Sequence, residues 1–80
     1  MTVKVYSTPT CPWCHKAKDY LKSLKVQFQD VNVAEDQDAA NEMVEKSGQM
    51  GVPVLDVNGT IIVGFDKAAI DQALGKKKAA

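Results

Sequence analysis

Arginine is absent from this chain: its ten cations are all lysines, and ten acidic residues balance them. With no excess positive charge and no basic stripe, a nucleic-acid partner has no electrostatic footprint to bind. No apolar run approaches the roughly 20 residues needed to cross a bilayer. The start, Met1-Thr2-Val3-Lys4, carries no basic stretch followed by an apolar one, so a soluble, cytoplasmic and monomeric protein without nucleic-acid or membrane partners is expected. Internal repeats are missing too, and the one biased segment, Lys76-Lys77-Lys78-Ala79-Ala80, reads as a flexible tail over 76–80. Cysteine is scarce. Only Cys11 and Cys14 occur, too close together to staple distant segments, because a bridge closing so short a loop removes little unfolded-chain entropy. In a reducing compartment such a pair is more often catalytic or metal-binding than structural. Eighty residues with 45% hydrophobic content suffice for a single domain, expected over 1–75, near the lower size limit for a core without staples.

What is present centres on Cys11-Pro12-Trp13-Cys14. The preceding Val3-Lys4-Val5-Tyr6-Ser7 alternates as a strand does, and Ala17, Tyr20, Leu21 and Leu24 recur at helical spacing, so the motif falls at a strand-to-helix junction. Proline is favoured in a first helical turn. That puts Cys11 at the cap, facing unpaired backbone N–H groups and the positive end of the helix dipole, where an anion is stabilised. Cys11 is therefore expected to be the attacking thiolate. Cys14 lies in phase with Ala17, Leu21 and Leu24 and is expected to be the buried thiol that attacks second. Cys11, Cys14 and His15 also spell the attachment pattern of a c-type haem, with Met43 or Met50 as a second axial ligand. Such attachment normally follows export, and nothing else in the chain reads as a haem pocket. A zinc site is disfavoured because no second ligand pair follows at finger spacing.

Period and punctuation give the rest. Strands are expected near 2–7 and 26–32 with a helix over 12–24 between them, which makes a parallel βαβ unit. Ala39, Ala40, Met43, Val44 and Ser47 form a second helical stripe behind the acidic start Glu35-Asp36-Gln37-Asp38, with Gly48 as its stop. That acidic run is read as a helix N-terminal charge cluster, and no metal site is expected. Val52 to Val57, Asn58-Gly59, and Thr60 to Val63 form a hairpin with a type I′ turn. The last helix begins at Asp66 as N-cap, with Phe65 and Ile70 as its hydrophobic staple, and ends at Gly75. The order is βαβαββα, an α/β architecture.

These residues together resemble the glutaredoxin branch of the thioredoxin superfamily from Val3 to about Leu74. The likeness is carried by Val5-Tyr6-Ser7-Thr8-Pro9-Thr10-Cys11-Pro12-Trp13-Cys14, then Gly51-Val52-Pro53, then Gly64-Phe65-Asp66. It implies a thioredoxin fold with a four-stranded mixed sheet in the order 2-1-3-4 and helices on both faces. It also implies a cis Pro53 beside the two cysteines, turning the Val52 backbone toward an extended thiol substrate. The implied activity is dithiol thiol–disulfide exchange on protein or glutathione mixed disulfides, with glutathione as co-substrate and no tightly bound cofactor. Thr8, Trp13, Val52, Pro53, Gly64, Phe65 and Asp66 would form the binding rim.

Three positions depart from the pattern of family members that use glutathione. Thr8 stands where a basic residue meets a glutathione carboxylate, Gly51 replaces threonine, and Lys67 replaces an aspartate. The Gly64-Phe65 pair instead resembles redoxins that draw electrons directly from thioredoxin reductase and serve ribonucleotide reductase. The expected donor is glutathione, with thioredoxin reductase as the alternative. A haem carrier or a glutathione-ligated iron–sulfur scaffold is the reading outside catalysis, and Pro12 disfavours the scaffold, whose family members usually lack proline there.

Overall fold

The computed structural model describes residues 3–75. The tail expected over 76–80 lies outside the described residues. Seven elements follow in order: β1 (Val3–Ser7), α1 (Pro12–Ser23), β2 (Gln29–Asn32), α2 (Gln37–Ser47), β3 (Val54–Val57), β4 (Thr60–Val63) and α3 (Lys67–Ala73). The sheet runs β2-β1-β3-β4. β1 pairs parallel with β2 and antiparallel with β3, and β3 pairs antiparallel with β4. This is the thioredoxin fold with the strand order that the family resemblance implies.

Alternation along the central strands divides the core in two. Val3 and Val5 of β1, with Leu55 and Val57 of β3, point to one face, where Ala17 and Leu21 of α1 and Ile70 of α3 cover them. Tyr6 and Val54 point to the other face, against Met43 of α2. Each helix start is capped by the residue its sequence supplies. Cys11 caps α1, Asp36 caps α2 through Ala39 N–H, and Asp66 caps α3 through Ala69 N–H. Asn58 and Gly59, with φ of 51° and 98°, form the mirror-image turn that joins β3 to β4.

Two strands start later than their apolar residues suggest. β2 begins at Gln29 rather than 26, because the donors before it are used by the end of α1: Lys25 N–H bonds to Lys22 O at 2.9 Å and Val26 N–H to Leu21 O at 3.0 Å. Lys25 is left-handed at φ 60°. Val26 and Phe28 still reach the core as half-buried side chains, which is what their hydrophobicity records. β3 begins at Val54, after the cis Val52–Pro53 bond.

Candidate functional site

The junction of β1 and α1 brings the two sulfurs together. Cys11 is extended, with φ −93° and ψ 111°, and Cys14 N–H donates to its Sγ at 3.1 Å. An N–H aimed at a sulfur from a helix start favours negative charge there. Cys11 is half-exposed and Cys14 is fully buried. Burial, and next the hydrogen bond to the Cys11 side chain, push the Cys14 thiol up to about 11. Negative charge on Cys11 acts in the same direction, while the Thr8 backbone and Lys18 oppose it. One sulfur is therefore accessible and bonded by an amide, and the other is held protonated beneath it.

Val52 and Pro53 come from the opposite side of the site. Val52 O lies 4.0 Å from Cys11 Sγ, and Pro53 is buried with its carbonyl accepting Gly64 N–H at 2.8 Å. That bond ties Gly64, at φ 83°, to the Val52–Pro53 segment. Phe65 follows at once, with its ring centroid 6.4 Å from Trp13 and 5.9 Å from Tyr20. Trp13 is 57% exposed, so the rim carries apolar surface that solvent reaches, while Met50, an axial-ligand candidate, is 79% exposed just before Gly51. Thr8 is half-buried, and its carbonyl accepts Cys11 N–H at 3.4 Å. Asp66 Oδ1 accepts Ala69 N–H at 3.1 Å, so its helix-capping reading describes what it does in this structure. His15 Nε2 lies 3.1 Å from Pro9 O, a local contact on the exposed face of α1. Met43, one of the two axial-ligand candidates, is buried on the opposite face of the sheet from the cysteines.

Sequence reasoning passed over one cluster beside the thiols. Lys18 Nζ donates to Asp30 Oδ2 at 2.9 Å, and Ser7 Oγ donates to Asp30 Oδ1 at 2.8 Å. The signal available in the sequence was the spacing of Lys18, four residues after Cys14 on one helix face.

A glutaredoxin family model matches residues 3–62. The chain belongs to the glutaredoxin family. It is 57% identical over 74 residues to an uncharacterized glutaredoxin-like 8.6 kDa protein in the rubredoxin operon of Clostridium pasteurianum, covering 92% of this chain and 99% of that one. It is 36% identical over 64 residues to glutaredoxin 3 of Escherichia coli K12, covering 80% of this chain and 77% of the relative. Among solved structures it superposes on a thioredoxin-like protein with a TM-score of 0.88 at 26% identity, covering 95% and 97% of the two chains. The family is one of thiol–disulfide oxidoreductases. No helix among the described residues is long and apolar enough to cross a membrane.

Proposed function

We propose that this family member is a dithiol reductase of protein or glutathione mixed disulfides, with Cys11 as nucleophile and Cys14 as resolving thiol. The observation that carries the reading is the inequality of the two sulfurs, one half-exposed at an amide-lined helix start and the other buried and protonated one turn along. Cys11 thiolate attacks one sulfur of the substrate disulfide, a Cys11–substrate bond forms, and the other substrate sulfur leaves and takes up a proton. Both influences that Cys11 exerts on Cys14, the hydrogen bond and the negative charge, end when the Cys11 sulfur becomes part of a disulfide. Cys14 then gives up its proton as it attacks Cys11 Sγ. The released substrate thiolate gains a proton, and a Cys11–Cys14 disulfide remains. Two glutathione thiols reset it, and oxidised glutathione forms.

Val52 is suited to pair its backbone with the cysteinyl part of an extended thiol substrate. Trp13 and Phe65 offer apolar contact, and Gly64 with Pro53 holds the segment in place. Asp66 has a second carboxylate oxygen beyond the one that caps α3, which suits an α-amino group. Thr8, Gly51 and Lys67 weaken the case for tight glutathione binding, and they favour reduction by a thioredoxin reductase as the second reading. A cytoplasmic setting goes with either donor.

The test separates the two cysteines. Cys11→Ser is expected to abolish disulfide reduction. Cys14→Ser is expected to keep the first attack and accumulate a mixed disulfide with oxidised glutathione, visible by mass spectrometry. Faster alkylation of Cys14 than of Cys11 at mildly acidic pH would reverse the assignment. Coupled assays with glutathione plus its reductase, and with thioredoxin reductase alone, then decide the donor.

A further inference from the structure

Cys14 has to ionise, or nearly so, while buried, and burial is the largest influence against it. Cys11 at the N-cap of α1, the Thr8 backbone beyond β1, and Lys18 one turn along α1 act on it, and Asp30 of β2, held also by Ser7 at the end of β1, binds Lys18. Of these, Lys18 is the cation that acts on Cys14 in favour of the thiolate.

Its placement is unlike that of a solvated surface lysine. The Lys18 side chain is only 15% exposed, drawn down to a carboxylate that a second donor, the buried Ser7 hydroxyl, grips from the other oxygen. Asp30 stands opposite Val5 in the parallel register, on the same sheet face that α1 covers. Lys18 is one turn beyond Cys14, with Cβ atoms at that spacing about 5–6 Å apart. Long ammonium side chains give up rotamer freedom when fixed in this way.

We propose that Lys18 is a positioning residue for the second step: clamped by Asp30 and Ser7, its ammonium sits beside Cys14 and stabilises the negative charge that develops on the sulfur as it attacks Cys11. The inference rests on the dithiol reading above. It adds a group to the step in which a Cys14–Cys11 bond forms, the Cys11–substrate bond breaks and the proton from Cys14 ends on the departing thiol. A static brace between α1 and β2 would need no particular neighbour. This one lies one helical turn along α1 from the buried sulfur that attacks in the second step.

Losing the cation raises the thiol, so the thiolate fraction falls, while the greater nucleophilicity of the more basic sulfur returns part of that loss. The second step should slow by roughly threefold. The test follows reduced full-length protein reacting with dithiodipyridine, an uncharged aromatic disulfide whose leaving group absorbs in the near ultraviolet. In stopped flow the first release reports Cys11 attack and the second reports Cys14 attack. Lys18→Gln, which keeps a donor for Asp30 but no charge, should leave the first phase unchanged. It should slow the second about threefold and move its pH midpoint upward, and Lys18→Arg should restore both. Asp30 is 49% exposed, so water can take the place of its lost partner, and Lys18→Gln or Lys18→Met should fold, as melting curves will verify. An unchanged second phase, or equal slowing of both phases, overturns the proposal. Release of one thiopyridone per protein rather than two from the unmodified protein overturns the dithiol reading and this inference with it.

Discussion

Lys46 and Lys18 are each drawn off solvent by an aspartate on the sheet, one under α2 and the other under α1, and the two clusters are built alike. Lys46 Nζ donates to Asp56 Oδ2 at 2.7 Å and to Tyr6 Oη at 3.0 Å, and pairs with Glu42 at 3.1 Å. Lys18 donates to Asp30, which also holds Ser7. The neighbours differ. The Lys46 cluster packs beside Tyr6, Met43 and Val54, none of which exchanges electrons or protons in the proposed reaction, so its role is to pin α2 to β1 and β3. Lys18 instead stands one helical turn from a buried thiol. An ion pair of given make is thus a brace or an electrostatic tool according to what it touches.

The largest effect that tests this contrast is on stability. Lys46→Met removes the partner of Asp56 and Tyr6 at a partly buried site and is expected to cost about 2 kcal/mol. For a domain of this size that lowers the melting temperature by roughly 8–16 °C. Both phases of the dithiodipyridine reaction at 25 °C should keep their rates, in contrast to Lys18→Gln. A changed second phase in Lys46→Met would erase the distinction between brace and tool.

A smaller effect comes from adding a cation on the exposed side of the thiols. Thr8→Lys supplies a charge-assisted partner for a glutathione carboxylate and should lower the Michaelis constant for glutathione about tenfold at low salt. The gain should shrink as salt rises, because the contact is open to solvent. No change, together with efficient reduction by thioredoxin reductase and none by glutathione, would assign the chain to the reductase-linked redoxins.

The smallest effect is on the pH profile of stability, and it should appear in both clusters. Burial works against both carboxylates, but Lys18 and Ser7 on Asp30, and Lys46 and the Gly59 N–H on Asp56, outweigh it and hold both below the ordinary range. Each folded value lies below its unfolded one. The stabilisation is therefore complete above the unfolded aspartate value of about 3.9 and is lost as pH falls through the folded values. Lys46 is raised, chiefly by Asp56 and Tyr6, so its contribution is complete below the unfolded lysine value of about 10.4 and is lost only at higher pH. Denaturant melts from pH 5 down to about pH 2 should show Lys46→Met losing less stability than the unmodified protein over that fall. An identical acid slope would remove Asp56 from the account.

The element order, the caps and the inequality of the two sulfurs are set by local chemistry, and they can be read from the chain. Pro12 in a first turn and the phase of Cys14 with Ala17 and Leu21 follow from helical periodicity, and Asn58-Gly59 follows from backbone sterics. The strand order and the cis Val52–Pro53 bond came from family resemblance rather than from any pattern within the chain, because neither leaves a periodic trace. Tertiary structure alone decided the start of β2, where the end of α1 takes the N–H groups of Lys25 and Val26. It also decided which lysines matter. Lys18, Lys22 and Lys46 look alike in the sequence, since charge carries no periodic signal of its partner. Asp30 lies 12 residues from Lys18, and only the parallel pairing of β2 with β1 sets it and Ser7 beside the turn that bears Cys14.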